Sequence, residues 1–72
     1  MYCIVYAKFG KRFYPLDEKA RRVANLINAL AFWGLNAERD AEVWAGQLRR
    51  ENMEVKVKSF KDSSTYNDAI IE

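Results

Sequence analysis

Seventy-two residues suffice for one domain, and a chain of this size buries only about 60% of the surface its unfolded form exposes. Half of the residues are hydrophobic, 31% are charged and the net charge is +2, a balance that belongs to globular chains rather than disordered ones. With no histidine and a single cysteine, the chain lacks the usual general base of nucleophilic catalysis, the commonest transition-metal ligand and the means of an internal disulfide.

Tyr2 to Ala7 form a continuous apolar run with β-branched and aromatic members, which predicts a central strand covered on both faces. The run lacks a basic leader and Lys8 ends it early, so a secretory signal is not expected, and the lone Cys3 reads as a small buried hydrophobe in a reducing cytoplasm. Gly10 with Lys11 and Arg12 predicts a turn, and Phe13-Tyr14 a short return strand that Pro15 ends. Asp17 before Glu18, Lys19 and Ala20 has the chemistry of a helix start. Val23, Leu26, Ile27 and Leu30 then recur at helical spacing, predicting a first helix over 18–32.

Gly34 is the expected stop, and Asn36 the expected cap of a second helix over 37–51, with Ala37, Ala41, Trp44, Ala45 and Leu48 on its buried stripe and Asn52 closing it. Met53, Val55 and Val57 alternate with Glu54, Lys56 and Lys58, the pattern of an antiparallel strand at or near a sheet edge, where exposed lysines discourage stray pairing. Residues 61–72 read as a partly ordered tail. The longest uncharged stretch, from Val23 up to Glu38, is shorter than the roughly 20 apolar residues of a membrane span. The expectation is one α+β domain over 1–72: a small antiparallel sheet, made of an N-terminal hairpin and a C-terminal strand, packed against two helices.

Charge is unevenly spread. Residues 1–22 carry six basic and two acidic groups, whereas 23–54 carry three basic and five acidic. The basic share concentrates in Lys8-Phe9-Gly10-Lys11-Arg12-Phe13-Tyr14, where interleaved cations and aromatics have the ingredients for holding phosphates and stacking bases. The plain alternative is a solvated hairpin tip, with Phe13 toward the core and Tyr14 at its rim. Trp44 reads as a core anchor. Trp33, at a corner beside Phe32 and Gly34, reads as an interface anchor, because Trp and Tyr dominate protein interfaces. The carboxylates form no acid-base pair, and there is no phosphate-binding glycine loop or calcium-hand pattern, so no enzyme and no cofactor are expected.

The run Lys8 to Asp17, with Val23, Asn25-Leu26-Ile27 and Ala29 to Phe32, resembles a loose group of small phage and prophage proteins of unassigned function. In that group the segment matching 25–32 is strand-like, against the helix that the spacing here predicts, and Asn28 stands where the group tends to have an aromatic. The resemblance implies the mode of action of such proteins, anti-CRISPR inhibitors included: stoichiometric binding to a host complex. The function expected from the sequence is therefore a cytoplasmic, non-enzymatic protein-binding module, alone or as a homodimer, that meets a larger host protein or complex through Trp33 or through the basic aromatic hairpin of Lys8, Lys11, Arg12, Phe13 and Tyr14. The alternative is a nucleic-acid-binding protein using the basic aromatic hairpin.

Overall fold

The computed structural model describes residues 2–60, and the tail expected over 61–72 lies outside the described residues. Strand β1, Tyr2–Phe9, is central, as its unbroken apolar run predicts. Gly10 and Lys11 turn the chain into β2, Arg12–Pro15, with Phe9 opposite Arg12. A positive φ at Gly10, the first of two loop residues, is the requirement of a type II′ hairpin turn. Strand β3, Ala31–Trp33, leads through Gly34 into helix α1, Ala37–Arg50, and α1 leads into β4, Val55–Phe60. All pairings with β1 are antiparallel.

The registers fix the layout. Strand β4 pairs with Tyr2 through Ala7 and so fills one flank of β1. On the other flank β2 pairs with Tyr6–Phe9 and β3 with Tyr2–Ile4, so these two short strands lie end to end. Leu16 continues the line of β2 by donating its N–H to the Val5 carbonyl at 3.1 Å, and Ala31 takes the next rung, opposite Ile4. Together they amount to one strand interrupted by an excursion over residues 17–30. Strands β3 and β4 run the same way with α1 between them, so β3-α1-β4 is a β-α-β unit split by β1.

That excursion is where the expected first helix does not form. Residues 18–32 hold a 3-10 turn at Leu26–Asn28 and the start of β3 instead, so the fold is α+β with one α-helix among the described residues. The expected helix-start residue Asp17 does cap, but it caps a short turn, and Asn25 caps another. The Asp17 carboxylate accepts from the backbone N–H of Lys19 and of Arg21 at 2.9 Å each, and Asn25 Oδ1 accepts from the Ile27 N–H at 3.1 Å. Local side-chain bonds of this kind compete with helical ones. Tertiary pairing then decides: Val23 donates to the Pro15 carbonyl at 3.0 Å and Leu30 to the Leu16 carbonyl at 2.9 Å, tying both ends of the excursion to the sheet. The strand-like reading of 25–32 holds for its last two residues, Ala31 and Phe32.

Alternation along β1 divides two cores. Cys3, Val5 and Ala7 face α1 and pack with Leu16, Val55 and the helix stripe Ala37, Ala41, Ala45 and Leu48; Trp44 joins them half-buried. Tyr2, Ile4 and Tyr6 face the other way and are sealed by Leu26 of the excursion together with Phe60. Helix α1 ends in a Schellman motif, with Asn52 at φ 67° and the N–H groups of Asn52 and Met53 donating to the Arg49 and Leu48 carbonyls. Asn36 caps its start through its backbone carbonyl alone, which accepts from the Asp40 N–H; no side-chain cap bond forms.

Candidate functional site: a basic aromatic hairpin and an exposed indole

The first rung of β4 is Val55 opposite Ala7, and the last bond from β1 to that side is Lys8 N–H to the Glu54 carbonyl at 2.9 Å. Past Lys8 the hairpin continues as a two-stranded ribbon carrying most of the predicted contact residues. Strand parity separates them. Lys8 and Phe13, opposite each other, share the face of Tyr6, while Phe9, Arg12 and Tyr14 share the face of Ala7. Lys11 is exposed at the turn.

Each face gains a cation from elsewhere in the chain. Lys56 of β4 places Nζ 4.2 Å from the centre of the Phe13 ring. On the opposite face the Arg22 guanidinium lies 5.0 Å from the Tyr14 ring centre and 5.7 Å from that of Phe9, while the two rings meet edge to face at 6.1 Å. Arg22 arrives there because the tight turn at Asp17 folds the chain back and bridges Arg22 to Leu16. The guanidinium is thereby seated over two aromatic rings. Lys8 Nζ meets Glu54 at 3.5 Å, a pair with both ends largely in water and so of small energetic weight. The C-terminus of α1 lies at this end of the sheet too, where Arg49 donates to the Val55 carbonyl at 3.2 Å and meets Glu42 at 3.7 Å.

Trp33 is not part of that cluster. It pairs with Tyr2 at the far end of β1, about 23 Å along the strand from Phe9 at about 3.3 Å per residue. Trp33 and the basic aromatic hairpin, the alternative contact surfaces read from the sequence, therefore lie at opposite ends of β1. Trp33 and Tyr2 ring centres are 4.7 Å apart, and Tyr2 stacks on Phe60 at 5.0 Å and 12°, making an aromatic row across three strands. Tyr2 and Phe60 are buried, yet Trp33 at the row's edge is 56% exposed. Gly34 follows at φ 95°, and Leu35 beyond it is fully exposed.

Away from both surfaces, Cys3 and Asp17 serve the fold. Cys3 is buried, its Sγ 3.4 Å from Ser59 Oγ. The Asp17 carboxyl is held below the ordinary carboxylate range, chiefly by the Arg21 backbone hydrogen bond, with partial desolvation opposing and the Lys19 N–H and the Arg21 charge reinforcing. Among the described residues no group of His, Cys, Asp or Glu is placed to hold a metal ion, and no helix is long and apolar enough to cross a membrane.

Sequence reasoning missed Arg22 and Lys56. Lys56 carried a usable signal, since even-numbered positions of β4 share the face of Tyr6 and Phe13 once β1 is central; Arg22 carried none, because its place depends on how the excursion folds. No protein-family model matches the chain, and no curated protein and no solved structure matches it either.

Proposed function

We infer that the chain is a small non-enzymatic protein-binding module that occupies a surface of a larger protein or complex stoichiometrically, with Trp33 as its anchor. The observation that carries this is the Trp33 ring, 56% exposed yet fixed against Tyr2 at 4.7 Å. A ring already held in place loses little freedom on binding, and Trp is among the side chains most enriched at the energetic centres of interfaces. Leu35 adds a fully exposed aliphatic side chain two residues on. The likeness to small phage proteins supports a host defence complex as the larger partner, and the absence of histidine supports action by contact rather than by chemistry. A buried lone thiol fits a reducing cytoplasm. A second copy of the chain would also cover Trp33 and Leu35, and a homodimer is the alternative partner.

The test is retention of a partner from bacterial lysate by the immobilised chain, with Trp33→Ala in parallel. The expected result is a one-to-one complex that weakens at least tenfold in the variant, with a blue shift of Trp33 emission on binding in a Trp44→Phe background. Undiminished retention by Trp33→Ala, or emission that stays water-exposed in the complex, overturns the reading. Light scattering that stays at 8.4 kDa across a broad concentration range removes the homodimer.

A further inference from the structure

The hairpin end offers a different ligand chemistry from the indole end, and it does so on two sides. One face of the ribbon carries Arg12 together with Arg22 seated on Phe9 and Tyr14; the other carries Lys8 with Lys56 seated on Phe13, and Lys11 stands at the tip. No acidic residue occurs between Lys8 and Leu16, and the nearby Glu54 is engaged by Lys8. Cations on both faces of a projecting two-stranded ribbon complement a ligand with anionic walls on both sides.

We propose that the β1-β2 hairpin is a β-ribbon that enters the major groove of duplex DNA, meeting the phosphates of one wall with Arg22, those of the other with Lys56, and the groove with Lys11 at its tip. The dimensions agree. From the Lys8–Phe13 rung to the turn the ribbon projects two to three residues, about 7–10 Å, against a groove about 8.5 Å deep. Two strands about 4.8 Å apart with their side chains fit a groove about 12 Å wide, which admits a β-ribbon. The acidic surface of a folded protein would engage one face only. Single strands are disfavoured because the rings that would stack bases are already covered by the chain's own cations, so the rings position charge instead of receiving bases. The A-form major groove of duplex RNA is too narrow for side-chain entry.

The experiment is fluorescence anisotropy of the whole chain with a labelled 16-base-pair DNA duplex, its separated strands, an RNA duplex and a polyglutamate peptide, between about 50 and 200 mM salt. Two phosphate contacts predict a slope of log K against log salt of about −1.8, at about −0.9 per contact. Arg22→Gln and Lys56→Gln, each checked for folding by circular dichroism, are expected to flatten the slope by about 1. Lys11→Glu, a charge reversal at an exposed turn position, is expected to weaken duplex binding at least threefold with the fold intact. Trp33→Ala is expected to leave duplex binding unchanged, which keeps this result separate from the indole reading. No duplex binding at 50 mM salt, equal binding to single strands or to the RNA duplex, tighter binding to polyglutamate, or an indifferent Lys11→Glu overturns the proposal.

Discussion

Leu26 and Ile27 are adjacent, similar in size and equally at home on the apolar stripe of the helix that the spacing predicts, yet the structure gives them opposite weights. Leu26 is 2% exposed beneath Tyr2, Ile4 and Tyr6, whereas Ile27 is 71% exposed. Full burial of a leucine contributes about 1.5–3 kcal/mol, and truncation adds the energy of the cavity left behind, so Leu26→Ala should cost about 2–4 kcal/mol. Ile27, less than a third buried, should cost below about 1 kcal/mol when cut to alanine. A chain of 72 residues has a total stability of about 4–11 kcal/mol, so the first change removes a large share of it. At about 4–8 °C per kcal/mol for a domain of this size, Leu26→Ala should lower Tm by about 8–32 °C and Ile27→Ala by less than about 8 °C. Thermal and urea unfolding followed by circular dichroism measure both. Equal losses would mean that residues 18–32 pack as a helix after all, and a neutral Leu26→Ala would mean that the excursion does not seal the sheet.

The glycines divide by backbone rather than by space, since a Cβ at Gly10, Gly34 or Gly46 meets nothing within 4 Å. Gly10→Ala and Gly34→Ala, at positive φ, should each destabilise by about 1–2 kcal/mol, while Gly46→Ala inside α1 should stabilise by about 0.5–1 kcal/mol in urea titrations. Because the folded Asp17 carboxyl titrates below its ordinary range, its contribution is complete above that range and is lost as pH falls through the lowered folded value. The amide resonances of Lys19 and Arg21 should follow that titration by NMR and stop doing so in Asp17→Asn; unchanged titration in the variant refutes the hydrogen-bond assignment. Trp33→Ala should cost about 1–2 kcal/mol against about 3–5 for Tyr2→Ala at the buried centre of the aromatic row, and a reversed order in denaturant unfolding would contradict the exposures.

Much of this fold was legible in the residue pattern. The unbroken run Tyr2 to Ala7 marked a strand buried on both faces, Gly10 marked the hairpin, the alanine stripe with Leu48 marked α1, and the alternation from Met53 to Lys58 marked β4. The excursion was not legible, because Val23, Leu26, Ile27 and Leu30 carry a helix-like spacing, while what places them is the bonding of Val23 to Pro15 and of Leu30 to Leu16 and the packing of Leu26 on β1, which periodicity does not encode. The same limit applies to the contact surfaces. The basic aromatic run was visible as a cluster, but strand parity splits it between two faces, and Trp33 sits on β3 at the other end of β1. Arg22 reaches Tyr14 only once the turn at Asp17 has closed.

The break between β2 and β3 carries a consequence for how such a chain can vary. Leu16 and Ala31 occupy consecutive rungs against Val5 and Ile4, so the ladder is blind to how much polypeptide is spliced between them. Closing a longer detour costs only about 0.6 kcal/mol per doubling of its length, so insertions and deletions there would leave the alignment of every strand as it is. What such a splice must preserve is one apolar side chain in the place of Leu26, packed with Phe60 against Tyr2, Ile4 and Tyr6.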